Sequence, residues 1–238
     1  MNPGLSVFVL AKNAETDLSE CLNLARDIAD EIVVVVDAGS SDATGDVARA
    51  RTSHVFSRPF DGFSSMKSFA LSKCTREWAL NLDTDERLSP DLSRQIEGVK
   101  RLPQNPMDGY AVNRAPYFLG KPIRHGGWYP DWVLRLVRRE VAHYPARSVH
   151  ERLEVSGATS RLNGPLIHYT ARRWSDFLAK QRRFAALSGV APSVWARWTH
   201  PPAAFFKSAV LQLGVLDGWR GLEVAFVQGY YAYHKYRK

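Results

Sequence analysis

The stretch that decides the fold is Ile32-Val33-Val34-Val35-Val36-Asp37, an unbroken apolar run that ends at a carboxylate. Every residue of the run before Asp37 is β-branched, which favours a strand over a helix. A strand this apolar is expected to be buried on both faces, as the strands of parallel sheets are. The stretch therefore predicts a central strand of a parallel sheet, with Asp37 at its carboxyl end.

The rest of the first hundred residues alternates short apolar runs with segments of helical periodicity. Strands are expected at residues 5–10, 54–56 and 78–82, and helices at residues 18–28, 44–50 and 65–73, with another helix beginning at Ser89-Pro90-Asp91. Strands and helices that alternate with short connections predict an α/β fold with a doubly wound, Rossmann-like sheet. Ligands of such a sheet bind beyond the carboxyl ends of its strands.

The second half of the chain has a different pattern, turn-rich and alternating. Residues 110–118, 132–138 and 162–169 are expected to add antiparallel strands to the sheet edge, which makes the sheet mixed. A helix is expected from Ser175, and His200-Pro201-Pro202 is expected to break the helical stretch. We therefore expect a domain over residues 1–171 and a C-terminal helical extension over residues 172–238.

The composition is that of a globular protein: 238 residues, 45% hydrophobic and 24% charged. These values exclude a disordered, collagen-like or coiled-coil chain. The net charge of +8 lies entirely in residues 172–238, which carry 11 Lys and Arg against 3 Asp and Glu, while the preceding residues carry 21 of each. The two cysteines, Cys21 and Cys74, lack the spacing of metal ligands and are expected to be reduced thiols.

The basic C-terminal region also contains many aromatic side chains, among them Trp174, Trp195, Trp198 and Trp219. Tryptophan favours the boundary between membrane and water, and basic side chains are attracted to anionic lipid, so we expect contact with an anionic membrane surface. An ordinary helical subdomain with solvated charges is the alternative. Nucleic acid is not an expected partner, because no nucleic-acid motif accompanies the charge. Without a signal peptide or an apolar run long enough to span a bilayer, a cytoplasmic protein at the inner face of the membrane is expected.

Two carboxylates follow the strand at residues 78–82, in the sequence Leu82-Asp83-Thr84-Asp85. An Asp-x-Asp at a strand end can hold one Mg²⁺ or Mn²⁺ and leave coordination positions for phosphate oxygens and water, although it can also be a solvated loop. Asp37 ends another strand in the same way, so these acids are expected to line one crevice. The chain has neither a Gly-x-Gly-x-x-Gly nor a Walker A sequence, which disfavours a dinucleotide site and a P-loop.

Taken together, the motifs resemble those of the family 2 glycosyltransferases with a GT-A fold. Within that family the chain is similar to the branch with the lipopolysaccharide-core β-1,4-glucosyltransferases. The matching motifs are Ala11-Lys12-Asn13, Asp37-x-Gly-Ser-x-Asp42-x-Thr44, Gly62-Phe63 with Lys67, Leu82-Asp83-x-Asp85-Glu86, His125-Gly126-Gly127-Trp128-Tyr129-Pro130-Asp131, Val149-His150-Glu151, Leu162-x-Gly164-x-Leu166-x-His168-Tyr169 and Leu216-Asp217-Gly218.

The resemblance implies an inverting, metal-dependent transfer of a sugar from a nucleotide-diphosphate donor, with UDP as the nucleotide, to a glycan or lipid-linked acceptor in cell-envelope synthesis. Residues 1–108 would form the nucleotide-sugar-binding half and residues 109–171 the acceptor side. The implied donor-site residues are Lys12, Asn13, Asp37, Gly39, Lys67, Asp83 and Arg135. The implied ligands of Mg²⁺ or Mn²⁺ are Asp83, Asp85 and His150. The catalytic base would be Asp131, with Glu151 as the second candidate, because the base must reach the attacking hydroxyl of the acceptor.

Other functions stay open from the sequence. A nucleotidylyltransferase would show a glycine-rich basic loop near the N-terminus. In this chain, residues 6–13 contain a single basic residue, Lys12. A glycosyltransferase with a protein or peptide acceptor, a non-catalytic sugar-binding protein, and a basic nucleic-acid- or membrane-binding protein without catalysis are the further alternatives.

Overall fold

The computed structural model describes residues 2–102, 104–145 and 152–237. The chain forms two compact units, Met1–Asn113 with Trp132–Ile167, and Arg114–Asp131 with His168–Lys238. This division by compactness differs from the sequence-based boundary at residue 171, because residues 114–131 group with the C-terminal region.

The first unit is built on a mixed sheet with the strand order β3-β2-β1-β4-β8-β6-β11-β5. The predicted Rossmann-like α/β architecture, with a mixed sheet and a helical C-terminal region, is confirmed. The strands are β1 (Asn2–Ala11), β2 (Glu31–Asp37), β3 (His54–Arg58), β4 (Arg76–Asp83), β5 (Glu86–Leu88), β6 (Gly109–Phe118), β7 (Lys121–Pro122), β8 (Trp132–Arg138), β9 (Ala142–His143), β10 (Glu154–Val155) and β11 (Thr159–Ala171). β9 and β10 form a separate two-stranded sheet, and β7 pairs with the end of β6 within the second unit.

The helices described in the first unit are α1 (Glu15–Ala25), α2 (Thr44–Arg49), α3 (Phe63–Lys73) and α4 (Pro90–Arg101). The start of α4 follows the sequence signal, since the Ser89 side chain accepts a hydrogen bond from the Leu92 N–H and Pro90 occupies the first helical position.

The sheet is buried on both faces, as the β-branched run predicts. Side chains alternate across a strand, so Val34 and Val36 pack into one hydrophobic core while Val33 and Val35 pack into the other. The first core includes Leu18, Cys21, Leu22, Leu92 and Ile96 of α1 and α4, and the second includes Met66, Ala70 and Leu71 of α3. The two layers of helices hold the central strands in register.

The second unit contains α5 (Trp174–Leu187), α6 (Val194–Phe206) and α7 (Gly218–Lys235), with a π-helical turn (Lys207–Leu211) and a 3-10 turn (Gly214–Asp217) before α7. Its core is aromatic and apolar and consists of Phe118, Ile123, Ala171, Phe177, Val224 and Val227. Within the described residues, no helix combines the length and apolar character that crossing a bilayer takes.

The expected helix break at His200-Pro201-Pro202 is wrong. Helix α6 continues through Pro201 and Pro202 to Phe206. The break falls earlier, where Gly189 adopts a positive φ of 66° and the Ser193 side chain caps the new helix by accepting from the Ala196 N–H. A left-handed glycine followed by a serine cap ends one helix and starts the next, and the prolines then lie inside the second one.

Candidate active site

Three parallel strands end side by side at one edge of the first unit's sheet. Ala11 of β1 pairs with Val36 of β2, and Leu10 of β1 pairs with Asp83 of β4. The residues at the carboxyl ends of β1, β2 and β4 therefore emerge at the same edge, as the strand pattern predicts. Since neighbouring strands are about 4.8 Å apart, the ends of β2 and β4 are separated by about 10 Å, a distance that a nucleotide diphosphate can span.

Asp37 at the end of β2 is buried and held in its ionised form. Its Oδ2 lies 2.7 Å from Nζ of Lys12, and its Oδ1 accepts a hydrogen bond of 2.8 Å from the Gly39 N–H. The ammonium of Lys12, together with the Gly39 N–H, holds the pKa of this carboxyl below its usual range. A Cβ on Gly39 would lie 3.3 Å from the Asp37 carboxylate, so the glycine permits the tight turn.

The loop after β1 and the loop after β2 are tied to each other by side chains. Asn13, which has a positive φ of 46°, accepts the Ser41 N–H at 2.8 Å with its side-chain oxygen. The Thr44 hydroxyl accepts the Ala14 N–H at 2.7 Å and donates to the Asp42 carboxylate. Asn13 thus acts on the neighbouring loop, and its contact with a donor stays a prediction.

Asp83 at the end of β4 is enclosed by two cations. Its Oδ1 accepts from Nζ of Lys67 at 3.0 Å, and its Oδ2 accepts from Nη2 of Arg135 at 2.7 Å. Burial alone would raise the pKa of Asp83, but the charges of Arg135 and Lys67 more than offset this and hold that pKa well below its usual range. The side chain is still 32% exposed, so it can be reached from the crevice.

Arg135 links Asp83 to a buried polar network. Its Nη1 donates to the Asn81 side chain at 2.7 Å, and its Nη2 also donates to Glu86, which is fully buried. Glu86 in turn accepts the Asp83 N–H at 2.9 Å, and the Tyr144 hydroxyl donates to Asn81 at 3.1 Å. Burial opposes the charge of Arg135, yet Asp83 and Glu86 raise its pKa above the usual value. The two carboxylates and the two cations balance each other, which a buried charged network requires.

Lys67 and Arg135 therefore have a more definite position than the sequence indicates. The sequence-based prediction places them beside a diphosphate as added positive charge. In the structure both are buried and pair with Asp83, so they fix the first carboxylate of the Asp-x-Asp pair.

Asp85, the second carboxylate, lies in the two-residue connection between β4 and β5. Arg87 supports this turn by donating to the Thr84 carbonyl at 2.6 Å, and it forms ion pairs with Asp17 and Glu20 of α1. The turn is thus anchored to a helix, which places Asp85 on a fixed backbone at the sheet edge.

The residues at this edge fit a divalent cation that a substrate helps to hold. Within residues 2–102, 104–145 and 152–237, no group of three or more His, Cys, Asp or Glu side chains converges as a complete protein-built site. Mg²⁺ is commonly held by one or two carboxylates together with substrate phosphates and water. Asp83 and Asp85 can supply these carboxylates. The third predicted ligand, His150, lies outside the described residues, as does Glu151.

Cys21 lies close to these acids but is not a suitable ligand. Burial raises the pKa of its thiol to about 12, and the negative charges of Glu86, Asp83 and Asp85 act in the same direction. Only a thiolate binds metal or acts as a nucleophile, so this cysteine is an inert core residue, as the sequence predicts.

Asp131, the predicted base, belongs to the second unit and directly precedes β8. Its Oδ2 accepts a hydrogen bond of 2.8 Å from Nε of Arg114 and lies 2.7 Å from Nη2 of the same guanidinium. The backbone carbonyl of Asp131 also accepts a hydrogen bond of 2.8 Å from the Arg114 N–H. The side chain is 38% exposed. Arg114 thus orients a carboxylate that solvent and substrate can reach.

The string from His125 to Asp131 is anchored by the second unit's helical segment. The Asp217 carboxylate accepts the backbone N–H groups of Arg124 and His125 at 2.9 and 2.8 Å, and its other oxygen lies 2.9 Å from Nδ1 of His125. Gly127 adopts a positive φ of 82°, which favours glycine at that position. The string is therefore a packing motif that joins two parts of the second unit.

Sequence reasoning missed the supporting roles of Asn81, Glu86 and Arg87. A signal was present for Asn81, since an amide inside the apolar strand Trp78-Ala79-Leu80-Asn81-Leu82 must find hydrogen-bond partners when buried. No local pattern reveals that its partner is Arg135, because the two residues are 54 positions apart.

Replacing Lys67 tests the network around Asp83. Lys67→Met should lower the free energy of unfolding by about 1–3 kcal/mol near neutral pH, because Asp83 loses a charged hydrogen-bond donor. The low folded-state pKa of Asp83 means that this stabilisation is present above about pH 4, the usual pKa of an unfolded Asp, and is lost as the pH falls below it. Urea unfolding across this pH range should show the wild-type and variant curves converging in acid.

Lys73→Met is the matched control on the same helix. Lys73 lies over the rings of Phe56 and Phe69, and losing that contact should cost under about 1 kcal/mol with no change between neutral and acidic pH. Parallel wild-type and Lys67→Met curves down to acid pH would contradict the assignment of the Asp83 network.

The chain is similar to several known glycosyltransferases. The sequence model described as Glycosyl transferase family 2 matches residues 6–161. A lipopolysaccharide core biosynthesis glycosyltransferase, LpsC of Rhizobium meliloti, is 26% identical over 258 residues, covering 98% of this chain and 93% of that protein. An uncharacterized glycosyltransferase of Rickettsia typhi is 40% identical over 93 residues, which cover 39% of this chain and 32% of that protein. Among solved structures, the mannosyltransferase PcManGT from Pyrobaculum calidifontis, in complex with GDP-Man and Mn²⁺, is similar with a TM-score of 0.56 and 16% identity, covering 99% of this chain and 86% of that one.

Proposed function

Since the chain belongs to the family 2 glycosyltransferases and has their GT-A fold, we propose that it transfers a sugar from a UDP-linked donor, with inversion, to a glycan or lipid-linked acceptor. The observation that carries this proposal is the meeting of Lys12, Asp37, Asp83 and Asp85 at the adjacent ends of three parallel strands. A nucleoside, a diphosphate and a divalent cation each find suitable groups along that edge.

Asp37 is the nucleoside contact in this proposal. An ionised carboxylate accepts hydrogen bonds from ribose hydroxyls or from a base N–H, and charge-assisted bonds of this kind are the strong ones. Lys12 holds that carboxylate in place, and its own side chain is about half exposed, so its ammonium can also meet a phosphate oxygen.

Asp83 and Asp85 are the residues that would hold Mg²⁺ or Mn²⁺. When bound, such a cation supplies positive charge to the diphosphate oxygens as the nucleotide leaves. Lys67 and Arg135 keep Asp83 ionised and fixed, and the turn supported by Arg87 presents Asp85. The mannosyltransferase of Pyrobaculum calidifontis is in complex with GDP-Man and Mn²⁺, which supports the use of a divalent cation with a nucleotide-sugar donor here.

Asp131 takes the proton of the acceptor hydroxyl as that oxygen attacks C1 of the donor sugar. An inverting transfer needs this base on the side of the sugar opposite the leaving nucleotide. Arg114 orients the carboxylate through Oδ2 and through the backbone. Glu151 and His150, which lie outside the described residues, stay predictions for a second base and a third metal ligand.

The acceptor class is proposed from the relatives. LpsC, similar over nearly its whole length, is a lipopolysaccharide core biosynthesis enzyme, which supports a lipopolysaccharide-core or other envelope glycan as acceptor. We propose that the chain acts as a peripheral protein at the inner face of the membrane, where its basic and aromatic C-terminal region would contact anionic lipid. A protein or peptide acceptor is the alternative.

Thermal unfolding with a panel of UDP- and GDP-sugars tests the donor site. A bound donor stabilises the folded state in proportion to its occupancy, so one nucleotide should raise the Tm in the presence of Mn²⁺ and less with a chelator. Asp37→Asn should weaken the binding of that donor about ten- to a hundredfold, because charged hydrogen bonds contribute about 1.5–3 kcal/mol.

Asp46→Asn is the control, because Asp46 is an exposed acid on the neighbouring helix α2. It should leave the donor-dependent Tm rise unchanged. A rise that persists at full size in Asp37→Asn would remove Asp37 from the donor site, and no response to any nucleotide sugar would contradict the proposed function.

A further inference from the structure

Residues 205–219, here named the apolar segment, have an inverted pattern of burial. They run from the last residues of α6 to the first residues of α7 and contain the π-helical and 3-10 turns. Their small residues Ser208, Ala209 and Gly214 are buried, while the large apolar side chains are exposed. A segment built to face water would show the opposite arrangement.

The exposure is large and concentrated. Leu211 is 69% exposed, Leu216 is 64% exposed and Trp219 is 73% exposed. Of the 19 large hydrophobic side chains that are exposed in the described part of the chain, eight lie in this segment: Phe205, Phe206, Val210, Leu211, Leu213, Val215, Leu216 and Trp219. Large apolar side chains that are exposed together along one short segment indicate an interaction site.

At two glycines the backbone of this region packs too closely to admit any larger side chain. A Cβ on Gly214 would lie 2.6 Å from the Ser208 carbonyl oxygen, and one on Gly221 of α7 would lie 1.7 Å from the Gly214 carbonyl oxygen. The segment is therefore pressed against α7 through atoms too close to admit a larger side chain. Its outward apolar face is a fixed property of the fold.

Basic side chains border the segment. Lys207 within it is exposed, and a groove of about 610 Å³ beside Trp219 is lined by Lys121, Pro122, Asp217 and Arg220. The acid in the groove, Asp217, is already engaged with His125. Exposed apolar and aromatic groups next to basic ones match the interface of an anionic bilayer, where acyl chains lie beneath negative headgroups.

We propose that residues 205–219 insert into the headgroup region of an anionic membrane, with Lys121 and Arg220 contacting lipid phosphates. The basic border favours lipid over a second copy of the chain, since two copies would bring like charges together. Exposed apolar side chains beside basic ones are typical of a segment that lies in the interface of the bilayer. This inference requires neither donor nor catalysis, so it can fail independently of the proposed transfer reaction.

Vesicle sedimentation of the full chain tests the proposal. We expect binding to vesicles of phosphatidylcholine with phosphatidylglycerol, weaker binding to phosphatidylcholine alone, and a decrease with added salt. The double variant Leu211→Gln/Leu216→Gln should lose at least about a hundredfold in vesicle affinity, because two apolar side chains that the bilayer would bury become polar. Lys121→Gln/Arg220→Gln should lose about tenfold in affinity for the anionic vesicles, because each basic group near an anionic surface contributes about 1 kcal/mol. Arg220 contributes less than a free basic group, since it already forms an ion pair with Glu223.

The matched control is Leu187→Gln/Val194→Gln, two positions of the same unit that are 67% and 80% exposed but lie outside the segment. It should keep vesicle affinity within about threefold, and all variants should keep the wild-type Tm because exposed substitutions change stability little. Unchanged binding by the Leu211→Gln/Leu216→Gln variant, or an equal loss in the control, would overturn the proposal. The proposal would also be overturned if the wild type did not bind vesicles and light scattering showed a dimer that the Leu211→Gln/Leu216→Gln variant dissociates.

Discussion

Asp85→Ala should lower kcat/KM for sugar transfer by about a thousandfold and remove its stimulation by Mn²⁺ or Mg²⁺. The cation that Asp85 would help to hold supplies several kcal/mol of charge stabilisation, and each 1.36 kcal/mol corresponds to tenfold in rate. Transfer is measured as UDP release at several metal concentrations. The fold should be intact, because Arg87 supports this turn through the Thr84 carbonyl, a backbone contact that Asp85→Ala leaves in place.

Two comparisons make this result specific. Asp46→Ala, at an exposed position on helix α2, should keep wild-type turnover. Asp83→Asn should reduce both turnover and the free energy of unfolding, because Asp83 also neutralises Lys67 and Arg135. Near wild-type turnover in Asp85→Ala would show that the second carboxylate of the pair does not serve a metal.

Asp131→Asn should lower the rate of transfer by about 10²–10⁴, the usual effect of losing a general base. The amide keeps the shape of the side chain and one oxygen toward Arg114, so the donor-dependent rise in Tm should persist. The measurement pairs single-turnover transfer with thermal unfolding at saturating donor. This combination separates a base from a donor contact, since only the latter would lose the Tm rise.

Asp176→Asn is the control in the same unit, because Asp176 is exposed in the first turn of α5. It should change neither the rate of transfer nor the donor-dependent rise in Tm by more than about twofold. If Asp131→Asn transfers sugar at the wild-type rate while Glu151→Gln does not, the base is Glu151.

The strand pattern alone predicted the location of the candidate site. Apolar runs ending at Asp37 and Asp83 indicate parallel strands, and the carboxyl ends of parallel strands share an edge, so the meeting of these acids follows from local sequence. The sequence also predicts the N-cap at Ser89, because a helix cap depends only on residues within one turn.

The interactions around those acids could not be predicted in the same way. Arg135 reaches Asp83 across 52 positions, and His125 reaches Asp217 across 92, so both contacts depend on the tertiary fold. Proline at Pro201 is a helix breaker by local preference, but packing of α6 in the second unit overrides that preference.

The origin of Arg135 on β8 has a consequence for dissecting the molecule. A fragment ending at residue 108 retains the α/β half with Asp83 and Glu86, yet it lacks the guanidinium that neutralises them both. Such a piece would bury carboxylates with too little compensating charge, so we expect that residues 1–108 do not fold on their own. Chimeras that exchange nucleotide preference between relatives must therefore move β4, β5 and β8 as a single block, although β8 lies some fifty residues downstream of the Asp-x-Asp pair.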